Sequence, residues 1–214
     1  MSDDVLVRPR GLGSSRGSTI VVSGPSGAGK TTILRRVLER DARLRFSVSH
    51  TTRHPRKGEV EGHDYYFVTQ EKFRALIESG SFLEWAEYQG NFYGTSRAAV
   101  EKAVDEGSDV LLEVEVQGAR QIREQCPDAV TVIVLPPSFE ALGQRLRDRA
   151  KDSEESIRKR LDIAREEVRE ASQYTYVVVN SNLDAAVADL QKIVDVARLR
   201  PQQVLPQWWN GEPE

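Results

Sequence analysis

Gly24-Pro25-Ser26-Gly27-Ala28-Gly29-Lys30-Thr31, followed by Thr32, fills every position of the pattern G-x-x-x-x-G-K-[ST]. Just before it, residues 18–23 form a short β-branched run that reads as a central strand. Just after it, residues 31–40 carry Ile33, Leu34, Val37 and Leu38 at helical spacing. Strand, glycine loop and helix in this order make a phosphate cradle. The glycines let the backbone curl until its N–H groups point at phosphate oxygens, and the helix adds its positive N-terminal end. Lys30 supplies a point charge for β- and γ-phosphates, and the Thr31 hydroxyl reaches Mg2+. The stretch therefore predicts a site for ATP or GTP.

Working outward, strand-like and helix-like segments alternate. Residues 109–114 read as a strand before a helix over 117–125. Residues 129–135 read as another, with Pro136-Pro137 and a helix opening at Ser138 behind it. Residues 176–180 read as a further strand before a helix over 183–199. Apolar strands alternating with helices predict an α/β fold, a parallel sheet flanked by helices. Two stretches break the rhythm. Residues 45–93 hold short β segments at 46–48, 65–68 and 82–88 around one helix at 71–79, so a small mixed lobe is expected here. Residues 144–172 are dominated by charge, and Asp152 with Glu155 predicts a capped helix running to about residue 171. Its density of Arg and Lys suits a solvated or ligand-facing lid.

Composition narrows the function classes. The chain has 214 residues, 39% hydrophobic and 29% charged, which suits one soluble globular domain. Its net charge of −3 offers no bulk basic excess for nucleic acid, so any basic role is local. A single cysteine, Cys126, excludes an internal disulfide framework and fits a reducing, cytoplasmic setting. It precedes Pro127 with no neighbouring base and reads as structural. No stretch approaches the ~18 apolar residues of a membrane span. Residues 1–17 read as a leader without an apolar h-region, and Asp3 and Asp4 argue against a transit peptide despite Arg8, Arg10 and Arg16. Residues 201–214 read as a tail, in which Trp208-Trp209 would dock on the chain's own surface or on a partner. His50, His54 and His63 match no zinc spacing. Neither membrane nor nucleic-acid partners are expected, and the oligomeric state is left open.

A second cluster points to a phosphate acceptor. Arg53-His54-Pro55-Arg56 places two guanidinium forks around a proline that disfavours helix. Such a loop either holds a phosphate bidentately or is a solvated basic turn. Near it lie Ser49, Tyr65, Tyr93 and Thr95, whose hydroxyls suit phosphate or base contacts. Glu84, inside the apolar run Phe82-Leu83-Glu84-Trp85-Ala86, either faces solvent or is a buried acceptor. Buried, it would suit the N1–H and N2–H₂ donors of guanine, which adenine lacks.

Taken together, residues 23–32, 46–68, 82–96, 112–118 and 152–161 resemble the guanylate kinase family over about residues 18–198. The motif Ser-x-x-x-Arg-x-x-Arg-x-Gly-Glu followed by Gly-x-Asp-Tyr carries most of that resemblance. It implies a P-loop kinase core at residues 18–44, 97–142 and 173–200, an inserted NMP-binding lobe for GMP at 45–96 and a helical lid at 143–172. It also implies that Gly24 to Thr32, Arg145 and Asn180 bind ATP. Arg53, Arg56, Tyr65 and Tyr93 would then hold the GMP phosphate. Glu84, Ser49 and Thr95 would read guanine, and Glu113 and Glu115 would also bind GMP. Arg149 and Arg160 match lid arginines that reach the transferring phosphates and, with Lys30 and Arg53, would be catalytic. Mg2+ would arrive with ATP and meet Thr31. The chain departs from the family's usual Asp-x-Asp with Glu113-Val114-Glu115, and from its usual Arg-Gly lid turn with Arg149-Ala150.

The reaction so implied moves the ATP γ-phosphoryl group to GMP, giving ADP and GDP, with dGMP expected as a second acceptor. Two other readings compete. A non-catalytic module of this family that binds phosphopeptides would show a damaged phosphate loop, whereas Lys30, Thr31 and the loop glycines are all present. A P-loop kinase for a sugar phosphate would lack Ser49, Glu84 and Thr95.

Overall fold

The computed structural model describes residues 16–88, 90–148 and 153–209. The leader up to residue 15, Arg149, the Asp152 cap and residues 210–214 lie outside the described residues. In chain order come β1 (Thr19–Ser23), α1 (Lys30–Arg40) and β2 (Leu44–Phe46). The lobe follows with β3 (His50–Thr51), β4 (Tyr66–Phe67), α2 (Gln70–Glu78), β5 (Phe82–Tyr88) and β6 (Asn91–Ser96). The chain returns through α3 (Arg97–Asp105), β7 (Asp109–Glu113), α4 (Val116–Gln125) and β8 (Val130–Leu135). Last come α5 (Phe139–Asp148), α6 (Glu154–Arg169), β9 (Tyr176–Val179), α7 (Leu183–Ala197) and α8 (Pro201–Trp209).

The core sheet runs β2-β7-β1-β8-β9 with every neighbour parallel. Its strands are nearly continuous in Val, Ile and Leu because both faces are covered. Ile20, Val22, Val132 and Val134 pack with Ile33, Leu34 and Val37 of α1 and Val187 and Leu190 of α7. On the other face Val21, Leu112 and Ile133 pack with Val100 and Val104 of α3 and Ala119 and Ile122 of α4. At the sheet end away from the phosphate loop, buried Arg198 donates to Asp109 and Asp41, each at 2.6 Å, and Asp109 also accepts from the Ser18 amide at 2.8 Å. That ion group ties the ends of α1 and α7 to the starts of β1 and β7.

The lobe sheet runs β4-β3-β6-β5, mixing one parallel pair with antiparallel ones. β5 and β6 form a hairpin whose turn includes Gly90 at φ 76°. Their register slips between Phe82 and Glu84. This bulge leaves consecutive Leu83 and Glu84 both buried, with Leu83 packed in the cluster under α3 and α4.

Some sequence expectations change, and some elements are new. Residues 46–48 were predicted as a lobe strand, yet Phe46 ends the strand Leu44–Phe46, which pairs with β7 in the core sheet. Three residues of alternation carry too little pattern to choose a sheet, and the open edge of β7 decides. Strand β6 and helix α3 were not anticipated; α3 starts at the Ser96 cap, whose side chain accepts from the Ala99 amide. The lid helix is capped by Ser153, which accepts from the Ser156 amide at 3.3 Å. The tail is helical over Pro201–Trp209, where proline at the first helical position removes no helical hydrogen bond.

Candidate active site

The phosphate loop leaves β1 at Ser23 and enters α1 at Lys30. Gly29 caps the helix at φ 97°, and a Cβ there would stand 2.3 Å from the Asn180 side-chain nitrogen, so only glycine fits. Lys30 is buried and folds over its own loop, its Nζ donating to the Gly24 carbonyl at 2.5 Å and the Pro25 carbonyl at 3.4 Å. Two residues brace the loop from outside. Asn180 Nδ2 donates to the Ala28 carbonyl at 2.8 Å, while Arg145 donates to that same carbonyl at 3.3 Å and to the Asn180 carbonyl at 2.7 Å. A cavity of about 370 Å³ opens here, lined by Gly27, Gly29, Thr32, Arg145, Asn180 and Leu183 among others. Asn180 reaches this place because it ends β9, beside β8, at the carboxyl end of the sheet where α/β folds bind ligands.

A second cavity of about 340 Å³ joins the two motifs that lie far apart in sequence. One wall is the loop, Pro25, Ser26, Gly27, Gly29, Lys30, Thr31 and Thr32. The facing wall comes from the lobe with Ser49, Arg53, Arg56, Tyr65, Glu84 and Tyr93. Glu113 and Glu115, at the end of β7 and the start of α4, form its floor, and Arg160 enters from α6. Thr95 contributes through Glu84.

Arg53 is held in place before any ligand arrives. Its guanidinium makes a two-pronged contact with Glu59, at 3.0 and 2.8 Å, and Glu59 also accepts from the Arg56 amide at 2.7 Å. The Tyr65 ring lies 5.4 Å from the guanidinium carbon. Hydrogen bonding to Arg53 holds the Glu59 carboxyl below its ordinary range. Sequence reasoning passed over Glu59, although it follows Arg56 by three residues within one loop, the spacing at which a side chain can return to a turn.

Glu84 is 5% exposed, and the Thr95 hydroxyl donates to its Oε1 at 2.6 Å. Burial pushes its carboxyl up to about 7, with the Glu115 charge adding to the rise and the Thr95 bond opposing it. The buried alternative for this strand acid is therefore the one realised. Glu113, grouped in sequence with the GMP residues, accepts from the Thr31 hydroxyl at 2.7 Å. Burial raises its carboxyl and the Lys30 charge lowers it. Thr31 and Glu113 are hard oxygen donors at the phosphate loop, a set that suits Mg2+. Among the described residues no group of three or more His, Cys, Asp or Glu forms a metal cage, so phosphate oxygens would have to complete the coordination.

Further residues of the site were not anticipated. Ala86, Tyr88 and Val114 line the cleft, and Glu167 on the lid helix feels the charges of Glu115 and Lys30 beside it. Burial pushes the Glu167 carboxyl up to about 7, with the Glu115 charge adding and Lys30 opposing. Glu167 lies seven residues beyond Arg160, on the same face of α6, which is the signal that could have found it.

The guanylate kinase family's sequence model matches residues 16–197. A guanylate kinase of Synechococcus sp. (strain JA-3-3Ab) is 50% identical over 181 residues, covering 85% of this chain and 83% of that protein. One from a strain of Thermus thermophilus is 52% identical over 185 residues, covering 86% and 84%. The crystal structure of guanylate kinase from Anaplasma phagocytophilum aligns with a TM-score of 0.73 at 34% identity, covering 89% of this chain and 90% of that one. With a phosphate loop facing Arg53, Arg56 and Glu84 across one cleft, and with these likenesses along almost its whole length, the chain belongs to the guanylate kinase family.

Proposed function

We propose that the cleft transfers the γ-phosphoryl group of ATP to GMP, with the residues on its two walls in separate roles. The chain is a nucleoside monophosphate kinase, an ATP:GMP phosphotransferase. The observation that carries the assignment of roles is the shared cavity, where Lys30 and Thr31 face Arg53, Arg56 and Glu84. On this reading Lys30 exchanges the Gly24 and Pro25 carbonyls for the β- and γ-phosphates. Arg145 and Asn180 hold the adenosine side of ATP in the neighbouring cavity. Arg53, Arg56, Tyr65 and Tyr93 hold the GMP phosphate, and Glu84, with Ser49, Thr95 and Glu115, reads guanine. Thr31 and Glu113 would hold Mg2+ together with the nucleotide, and the ion would supply neutralisation of phosphate charge.

The attacking atom is a phosphate oxygen already ionised at neutral pH, so no strong general base is required. Positioning and charge neutralisation do the chemistry. Arg160, and Arg149 by the family resemblance, bring further positive charge from the lid. Water must be excluded while ATP is bound, and the lobe and α6 are the elements that can close over the cleft. Among the described residues no helix is long and apolar enough to cross a membrane. We place the reaction in the cytoplasm. An ADP-release assay with GMP, AMP, CMP, UMP and no acceptor tests the reading: release dependent on GMP is expected, and equal release without acceptor would overturn it.

Two smaller effects follow. Arg53→Lys keeps the charge but loses the fork on Glu59 and phosphate, so the GMP KM should rise about tenfold, the scale of one charge-assisted hydrogen bond. The ATP KM should stay unchanged. A shift in the ATP KM alone would move this arginine to the donor side.

Acidity should also weaken GMP binding. Guanine is read by the ionised form of Glu84, whose carboxyl stands at about 7 beside Thr95 and Glu115. Below that pH, binding must first expel a proton, and the apparent affinity falls by up to about tenfold per unit. The second ionisation of the GMP phosphate, near 6, acts in the same direction. Glu84→Gln retains the phosphate effect alone. The ratio of wild-type to Glu84→Gln GMP KM should therefore climb as pH drops through 7, and parallel profiles would contradict the assignment.

A further inference from the structure

Glu84 is carried by the lobe but seated by the core. Strand β5 is the outer strand of the lobe sheet, and its free edge faces α4. There Gln121 substitutes for a missing strand. Its Oε1 accepts from the Trp85 amide at 3.1 Å and its Nε2 donates to the Trp85 carbonyl at 2.7 Å. Three residues earlier on the same helix face stands Gly118. A Cβ there would lie 2.3 Å from Glu84 Oε2 and 3.0 Å from its carboxyl carbon, inside any tolerable contact. Gly118 lies in the regular helix Val116–Gln125, where glycine costs about 1 kcal/mol against alanine. Its backbone gives no reason for glycine, and the space taken by Glu84 does. Helix α4 itself is anchored in the core through Ala119 and Ile122.

We propose that Gly118 and Gln121 are positioning residues for base selection: together they fix the Glu84 carboxylate between Thr95 and α4, and so set the preference for a 2-amino-6-oxopurine over purines lacking either group. The inference rests on Glu84 being the base reader. It makes the core helix, not the lobe alone, the support of acceptor specificity. Neither residue touches the acceptor; each acts through Glu84, Gly118 by leaving room and Gln121 by holding the next residue's main chain.

The test is a double-mutant cycle on the full chain, read as KM for GMP, KM for ATP and the GMP-to-IMP ratio of kcat/KM. Gly118→Ala should raise the GMP KM about tenfold or more, the scale of one misplaced charge-assisted hydrogen bond, and narrow the GMP-to-IMP ratio. The ATP KM should stay within about twofold. In a Glu84→Ala background the added methyl has room, and the same substitution should change GMP kcat/KM by less than about twofold. An equal loss in both backgrounds would show an effect on the helix rather than on Glu84 and would overturn the proposal. Gln121→Met adds no bulk at Glu84 and keeps helix propensity, so it carries the test if Gly118→Ala does not fold. It should raise the GMP KM alone, and an equal rise for ATP, or none for either, would overturn the role. Failure of the wild type to phosphorylate GMP would sink the functional reading itself. A wild type active on GMP whose Gly118→Ala variant keeps the GMP-to-IMP ratio would sink only this inference.

Discussion

Replacing Lys30 by alanine is expected to lower phosphoryl transfer by about 10² or more, the usual loss for one preorganised charge in a dry site. Among the described residues its ammonium bonds the Gly24 and Pro25 carbonyls of its own loop, and Lys30 is in none of the apolar clusters. The melting temperature should therefore stay close to that of the wild type while kcat collapses. The loss should appear with GMP saturating as well as dilute, because Lys30 acts on the transferring phosphoryl and not on the acceptor. Single-turnover measurement on the folded variant checks this, and activity within a few-fold of wild type would remove Lys30 from the mechanism.

The second large effect concerns the acceptor base. At pH 8, where Glu84 is ionised, GMP offers its carboxylate two donors, N1–H and N2–H₂. IMP keeps only N1–H and should be a poor substrate. AMP offers neither, so Glu84 keeps only its Thr95 hydrogen bond, and the two charge-assisted hydrogen bonds missing from AMP, each about 1.5–3 kcal/mol, lower kcat/KM by about 10² or more. The burial of Glu84 is what makes the discrimination large: the same acid on an exposed strand face would be rehydrated by water and would reject adenine only weakly. Steady-state kinetics with the three monophosphates measure it directly, and AMP turned over within tenfold of GMP would contradict it.

The phosphate loop was legible because its chemistry is local. Every residue from Gly24 to Thr32 acts within one turn of chain, and glycine, lysine and threonine each have a separate reason to be there. The core strands were legible because burial on both faces leaves continuous runs such as residues 130–135. Other features depend on partners distant in sequence. The strand at Phe46 is decided by the open edge of β7, and three residues of alternation cannot reveal it. Whether Glu84 faces water or the core turns on the bulge after Phe82 and on Thr95, eleven residues away. The resemblance groups Glu113 with the GMP residues, and the Thr31 hydroxyl that donates to it lies 82 residues away in the chain. Gly118 reads in sequence as the last residue of a stretch resembling the family, near a helix start, and only the carboxylate beside it gives it a physical reason.

Selection of the acceptor is proposed to rest on one buried acid, set in a lobe facing the phosphate loop. It is tested most directly by kcat/KM for GMP, IMP and AMP on the wild type and on Glu84→Gln, at fixed saturating ATP. The glutamine keeps the shape and replaces one acceptor oxygen by a donor. The expected result is a GMP-to-AMP ratio that falls by about tenfold or more, with the ATP KM unchanged. A Glu84→Gln enzyme that keeps the wild-type GMP-to-AMP ratio would contradict the account and pass the role of base reader to Glu115.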